Sequence, residues 1–519
     1  MVSPQVTQIS ASDRERIRGH ADVVRTLLPI DEEFSRYQQY RAGQVESSMP
    51  ALVIDDFSAI PYIDGVKGAS FYQQRSRVRA GTGDIFTGSH PLDPFYEKYN
   101  QEQLQLGSPE YLLVEDAEDP FFLTQAILDS ENAWQTLCDF VRAHSSFLLR
   151  PYMGTQKNWE LAERLVENTG TPVKVLTPLP SATRYANDKT FFAEAAKAIL
   201  GPQSIPETVV CCSRVQVAAA LLSIAQNTQK VVIKLRNTAS AMGNRVFASK
   251  DLLERGPEYR RSVVDEFYGE FSCADDEKIV VMEWVEEVAS SPSSQLWVPP
   301  LNEGPPRIEG LFEQFLLGKE RVFEGSVHAN LPQQVLDRLA RYSFELALLY
   351  QQIGFVGRCS FDAILCGGLD GELKLVECNG RWGGTSIPMS FMNRIFGSHQ
   401  SVHYKARDYV DERLVGSDFR VLQEIFGSDV YDANTNSGRV IFYNVGCLSA
   451  DGKFDIITLG ETREDAIKYS NEIVPKKIDR FFNQTKRSEQ SELAKDSTAL
   501  WTIFARIFSS KTTRAPKEQ

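Results

Sequence analysis

The chain runs to 519 residues, 42% hydrophobic and 24% charged, the make-up of a soluble globular protein with roughly two to four domains. Its formal net charge of -13 excludes a general nucleic-acid binder, which needs a basic footprint for phosphate. No window reaches the roughly 18 to 20 apolar residues of a spanning helix and no apolar signal-peptide core opens the chain. The eight cysteines form no CxxC pair and no Cys/His metal spacing, so a reduced, cytoplasmic protein is expected.

The polar first fifty residues hold one amphipathic helix candidate, RERIRGHADVVRTLL. ALVIDDF (51–57) is expected as a short strand, and 61–105 shows no strong period. EYLLVED (110–116) predicts a strand, followed by a helix over FFLTQAILDSENAWQTLCDFVRAH. SSFLLRPYM, NWELAERLVENTG and PVKVLTP make a strand–helix–strand unit with Gly170 as the helix C-cap. Such alternation implies a parallel sheet covered by helices. Pro178, Pro180 and SATRY mark an expected linker.

Past it, NDKTFFAEAAKAIL predicts a helix with Asn187 or Asp188 as N-cap. The strand TVVCCS, the helix VQVAAALLSIAQN and the strands KVVIKL (230–235) and EKIVVMEWVEE (277–287) follow. Ser290 to Pro306, rich in Ser and Pro, is expected as a loop. IEGLFEQFLLG and RVFEGSVHA form an antiparallel pair, VLDRLARYSFELALLYQQIG a long amphipathic helix, and CSFDAILCGGLDGELKLVECN a hairpin. GRVIFYNVGCL, GKFDIITLG and TREDAIKYSNEI suggest a further small α+β unit. ALWTIFARIF (499–508) is an amphipathic helix that docks on its own protein, a partner or a membrane surface.

The hairpin ends in LVECNGRWGGTSIP, where Glu377, Asn379 and Arg381 alternate and so share one face. A turn centred on Leu369 and Asp370 places Asp362 opposite Glu377, within roughly 4.5–5.5 Å, too close for two carboxylates without a cation between them. Two carboxylates and the Asn379 amide oxygen are an all-oxygen set suited to Mg²⁺, which keeps open positions for phosphate. Arg381 faces the same space, and Gly383 and Gly384 allow backbone N–H groups close to an anion.

Other segments supply partners. Lys234 ends an apolar strand before the small-residue loop RNTASAMGNRVF, placed to grip phosphate oxygens. Lys189 opens a helix, where the dipole already favours phosphate. Glu283, Trp284 and Val285 form a strand end whose backbone could read an adenine edge, and Glu286 or Glu287 could hold ribose hydroxyls. Each feature alone is commoner as ordinary structure: a salt-bridged strand end, a solvated lysine, a buried strand leaving the core. Six histidines show no HxH or HExxH spacing, and His328 is read as incidental. Arg358 has two equal readings, a substrate contact or a structural ion pair. The Cys211–Cys212 pair is expected to be packing.

The order Lys189, Lys234, Glu283-Trp284-Val285, Asp362, Glu377-x-Asn379-x-Arg381 resembles the ATP-grasp superfamily over about Thr183 to Gly397. More narrowly, the layout is similar to pre-ATP-grasp proteins related to the peptide ligase of pheganomycin biosynthesis. Cys378 and Gly380 replace the family's more usual Ile and Pro, and the loop after Lys234 carries one glycine, Gly243, where many members have more. The resemblance implies an α/β and α+β chain: a small parallel α/β domain at 110–180, following an N-terminal region at 1–109. An ATP-grasp fold of two α+β subdomains clasping ATP at 181–410 comes next, hinged near 283–287, and a small α+β unit closes the chain at 411–519.

It also implies ATP and Mg²⁺, or Mn²⁺ in its place, with Asp362, Glu377 and Asn379 as metal ligands. Lys189, Lys234, Met242, Gly243 and 283–287 would bind nucleotide, Arg381 and Lys234 would act in catalysis, and Thr238 to Asn244 would form a lid tip. The implied reaction activates a small-molecule carboxylate, an amino acid or peptide, as an acylphosphate, which an amine converts to an amide. A kinase on the same scaffold and a non-catalytic nucleotide-binding protein are the alternatives.

Overall fold

The computed structural model describes residues 4–43, 48–66, 68–115, 119–238, 242–319 and 321–484. The helix expected at 499–508 lies outside them. Among the described residues no helix is long and apolar enough to cross a membrane.

Five strands form a parallel sheet: β1 (Ala51–Ile54), β2 (Ile85–Gly88), β3 (Glu110–Leu113), β4 (Phe147–Pro151) and β5 (Val173–Val175). Their order is β3-β2-β1-β4-β5. The order reverses direction between β1 and β4, so the loops after these two strands diverge and leave a crevice, where open α/β sheets take their ligands. The helix Gln156–Thr169 covers the sheet, held by a Thr155–Asn158 capping box at its start and Gly170 in the left-handed conformation at its end (φ 73°).

This unit reaches further towards the N-terminus than the expected boundary at 110, because β1 and β2 are two of its strands. The stretch without a clear period supplies β2 and an eleven-residue 3₁₀ helix, Ala69–Arg79. Its charged side chains pack inward, which erases the hydrophobic alternation a sequence reading relies on. The expected single helix over 121–144 is two, Leu123–Asp129 and Glu131–Arg142, parted at Ser130, whose hydroxyl caps the second by accepting from Ala133 N. The expected linker after Pro178 is instead a helix, Pro180–Asn187, with proline at its start, where no N–H is needed.

A second unit is a four-stranded antiparallel sheet, β6 (Thr208–Cys211), β7 (Lys230–Leu235), β8 (Asn244–Ala248) and β9 (Ile279–Glu283), in the order β6-β9-β7-β8. Val231, Ile233, Ile279 and Val281 alternate onto the helices Arg214–Ala225 and Gly256–Glu270 and form its core, together with Cys211. The opposite face presents Val232, Val280 and Met282 with Trp284.

The third and largest unit is an antiparallel sheet of nine strands: β10 (Val288–Ser290), β11 (Pro292–Val298), β12 (Arg307–Leu317), β13 (Val322–His328), β14 (Gly357–Cys366), β15 (Glu372–Asn379), β16 (His403–Val410), β17 (Val440–Asn444) and β18 (Lys453–Gly460). It runs β14-β11-β12-β13-β16-β18-β17, with β10 and β15 also paired to β14. β11, with the end of β10, takes up the first part of the expected loop from Ser290 to Pro306. β11 is central despite its serines because each polar side chain is satisfied: Ser293 donates to Asp362, Ser294 pairs with Ser343, and Gln295 donates to Ser293. β17 and β18 join this same sheet through β16. The C-terminal unit is therefore continuous with β10–β16 rather than separate. The expected architecture, a parallel α/β unit followed by α+β units facing a cleft, is the one observed.

Candidate active site

The site is built where β15 ends against the first half of β14. Asp362 lies opposite Glu377 and Ser360 opposite Asn379. Asp362 is held by three donors: Ser293 Oγ at 2.8 Å and Gln314 Nε2 at 2.9 Å on Oδ1, and Asn379 Nδ2 at 2.9 Å on Oδ2. Burial, with Glu377 opposite, pushes the Asp362 carboxyl up to about 7. Burial works against Glu377 as well, but Lys189, Lys234 and Arg381 outweigh it and hold that carboxyl below the usual range.

Lys189 is the first residue of the helix Lys189–Leu200, fixed by Asp188, whose side chain accepts from Thr190 N while Arg236 pairs with it. Its ammonium donates to Thr238 O at 2.7 Å and lies 3.5 Å from Glu377 Oε2. Lys234 shares the cleft-facing side of β7 with Val232 and is buried. Burial pulls its ammonium down to about 8; the Lys189 and Arg321 charges act the same way, and Glu377 opposes them. Arg381 donates to Asn187 Oδ1, which also accepts from Gly380 N at 3.0 Å. Beyond it, Gly383 and Gly384 lead into the helix Ser386–Phe396. A Cβ on Gly384 would lie 2.6 Å from Phe323.

Two cavities of about 440 Å³ each meet here, sharing Ile60, Lys189, Thr238, Glu377, Asn379 and Arg381. One runs along the nine-stranded sheet and takes in Lys234, Asp362 and the strand end Met282–Val285. The other opens beside the loop after β4 and the starts of the helices Pro180–Asn187 and Lys189–Leu200.

The residues singled out from the sequence divide accordingly. Lys189, Lys234, Glu283, Trp284, Val285, Asp362, Glu377, Asn379 and Arg381 all line the first cavity. Glu286 and Glu287, expected to hold ribose, do not line it; Glu286 pairs with Lys230, and the chain turns both outward into β10. Met242 and Gly243 also lie off the cavity: Gly243 O closes the hairpin by accepting from Leu235 N, and the Met242 sulfur packs by Gly65. Of the expected lid tip, Thr238 and Asn244 line the cleft, and 239–241 are outside the described residues. Arg358 pairs with Glu309 and stacks on Trp382, which favours its structural reading. His328 joins His399 at 2.8 Å, remote in role from the cleft.

Four residues escaped the sequence reading. Ser293 and Gln314 orient Asp362, Asn187 holds Arg381, and Arg321 lies over Trp284 and donates to Val285 O at 2.6 Å. Only Asn187 carried a signal, as a proposed helix cap; the structure gives the cap to Asp188 and frees Asn187 for the site.

Among the described residues no three His, Cys, Asp or Glu side chains gather as a metal cluster. The candidate set has two carboxylates and an amide, and it fits a hard cation. Two carboxylates face each other, one driven towards its protonated form, while the Asn379 amide oxygen makes no hydrogen bond to a described residue. Oxygen-only donors suit Mg²⁺ or Mn²⁺.

No family model matches the sequence, and no curated protein gives a significant match. Among solved structures, the chain is similar to an N5-carboxyaminoimidazole ribonucleotide synthetase in its ADP complex. That likeness has 10% identity and a TM-score of 0.49, covering 85% of this chain and 98% of that one. It is also similar to the biotin carboxylase β-γ-ATP complex from Campylobacter jejuni, with 12% identity and a TM-score of 0.49 over 82% and 90% of the two chains. D-alanyl-alanine synthetase A from Vibrio cholerae O1 biovar eltor follows at 13% identity and a TM-score of 0.35, over 49% and 71%. At these identities and TM-scores the likenesses assign no activity to this chain.

Proposed function

We propose that this chain is an ATP-dependent carboxylate–amine ligase, in its finer form a peptide ligase, working through an acylphosphate. The observation that carries the reading is the meeting of two cavities at Lys189, Glu377, Asn379 and Arg381. A ligation needs room for a nucleotide and two further reactants around one point, and the joined space of two cavities offers it.

Lys189 and Lys234 would hold phosphate oxygens, each pre-placed by its own strand or helix, so little reorganisation opposes binding. Met282, Trp284 and Val285 would flank the adenine, with Arg321 closing over Trp284. Asp362, Glu377 and Asn379 would hold Mg²⁺, which supplies neutralisation of phosphate charge when bound. Arg381, aimed by Asn187, would stabilise negative charge on the transferring phosphoryl group. A substrate carboxylate oxygen takes the γ-phosphoryl group as the bond to ADP breaks. The amine then forms a bond to the acyl carbon, inorganic phosphate leaves, and one amine proton goes to solvent. Closure over the cleft protects the acylphosphate from water.

A hydroxylamine trap tests this directly, using the purified chain, Mg²⁺-ATP and pools of amino acids and short peptides, read by mass spectrometry. A hydroxamate that vanishes in Glu377→Ala is the expected result. A phosphorylated hydroxyl product would make the protein a kinase, and nucleotide binding without any substrate-dependent turnover would make it a non-catalytic binder.

A further inference from the structure

The cleft does not end at the candidate nucleotide site. From Arg381 its wall continues through Trp382, whose backbone N–H donates to Tyr152 O at 3.1 Å, to the Tyr152 ring, which meets Phe57 edge-on at 5.0 Å. Beside Tyr152 lies Arg75, carried by the 3₁₀ helix Ala69–Arg79, and it lines the same cavity. Arg75 is 9% exposed, yet it makes no hydrogen bond or ion pair with any described residue. Its Nε is buried without a partner, and its guanidinium carbon lies 4.7 Å from the centre of the Tyr72 ring.

A guanidinium has five N–H donors, and one buried with its Nε unsatisfied and its other donors unbonded by the chain is suited to an anion that meets it. The neighbouring cations are engaged: Arg79 pairs with Asp55, and Lys453 bonds to Asp408 at 2.8 Å and to Tyr72. Arg75 sits in the field of Asp455 and Asp55 but hydrogen-bonds to neither, which leaves its donors to a ligand.

We propose that Arg75 anchors a substrate carboxylate at the far end of the cleft, with the ligand's apolar skeleton lying along Phe57, Tyr152 and Trp382. Planar carboxylates match the guanidinium fork with two parallel hydrogen bonds. The surroundings limit the ligand to one negative charge. Arg79 and Asp55 cancel, and Asp408, with Asp455 directly across the β16–β18 ladder, offsets Lys453 and opposes a dianion such as phosphate. This carboxylate is distinct from the one activated beside Arg381, so the substrate class is an amino acid, peptide or dicarboxylic acid. The assignment rests on the ligase reading and gives 3₁₀ segment and C-terminal sheet a shared task.

Thermal unfolding of the full chain tests it, with succinate, N-acetylglycine and L-glutamate as probes and succinamide and N-acetylglycinamide as uncharged counterparts. Carboxylates should raise Tm and the amides should not. Arg75→Met should abolish that shift, weakening carboxylate affinity at least roughly tenfold, while the shift given by Mg²⁺-ADP persists. Ligand-free Arg75→Met loses the charge that Asp55 and Asp455 feel, so its own Tm is the baseline against which each ligand shift is read. An undiminished carboxylate shift in that variant, or no carboxylate shift in the wild type, would each overturn the assignment. Absence of a Mg²⁺-ADP shift would instead sink the ligase reading, and the carboxylate comparison would still decide the role of Arg75.

Discussion

Asp362 and Glu377 face each other across the β14–β15 hairpin because a bulge between the turn and Asp362 shifts the register by one residue. Near the turn Cys366 pairs with Glu372 and Ala363 with Leu375; without the shift Asp362 would face Val376. Since side chains alternate, a one-residue slip would send Glu377 and Asn379 to the other side of the sheet. Bulges beside active sites re-aim side chains in this way.

The two carboxylates are not equivalent, and substitutions should separate them. Asp362→Asn removes a desolvated charge that faces another carboxylate, so the ligand-free protein should gain about 1 kcal/mol of stability. Glu377→Gln leaves the buried Lys189 and Lys234 without their counter-charge, and the protein should lose about 1 kcal/mol. Both should lower ATP turnover at least roughly a hundredfold. Denaturant titration beside a phosphate-release assay checks this, and equal stability effects from the two variants would contradict the charge assignment.

Lys234 makes nucleotide affinity dependent on pH. Its ammonium titrates at about 8 in the free protein, and a phosphate beside it would raise that value. Binding therefore takes up a proton above this pH. Affinity for ATP should be constant well below pH 8 and fall as pH rises through it, by at most about tenfold per pH unit. Calorimetric titration between pH 6.5 and 9.5 measures it. Lys234→Arg should remove the dependence over that range, since arginine stays charged.

How much of this was legible in the sequence varied by residue. The Asp362–Glu377 pairing was, because the hairpin's turn residues and its alternation constrain register locally. Its actual cause, the bulge, was not: the expected turn centre reached the right pairing at the site although the pairs nearest the turn sit in another register. Ser293 and Gln314 were invisible because they reach Asp362 from β11 and β12, and a buried serine-rich strand looks like a loop until its partners are known. β2 and the 3₁₀ helix carrying Arg75 failed to register for the same physical reason. Arg75, Arg77 and Arg79 point inward there, so periodicity of hydrophobic residues had nothing to follow.

Asn187 should be a positioning residue. It accepts from both Arg381 and Gly380 N and touches the strand that ends in the candidate metal ligands. Asn187→Ala should lower kcat roughly ten- to a hundredfold through misplacement of Arg381, with the KM for ATP little changed. Asn187→Asp keeps the acceptor and should recover most of the loss. A rise in KM for ATP with unchanged kcat would place Arg381 in ground-state nucleotide binding instead.

His328, away from the cleft, should contribute to the acid limb of stability. It is buried between Phe312 and Tyr404, its Nε2 paired with His399 Nδ1, and His399 Nε2 meets Glu309 O at 2.9 Å. Burial, with His399, His403 and Arg463 nearby, holds its imidazole down at about 4. In the unfolded chain the same ring titrates near the ordinary histidine value of about 6.5. The unfolded state therefore binds the extra proton first as pH falls, and stability present above pH 6.5 is lost progressively towards pH 4. The loss is at most about 3 kcal/mol from this group. His328→Gln should keep a polar partner for His399 and flatten the stability profile between these limits, as read from denaturant midpoints across pH. An unchanged slope in the variant would mean that His328 is already protonated in the folded protein, which its pairing with His399 opposes.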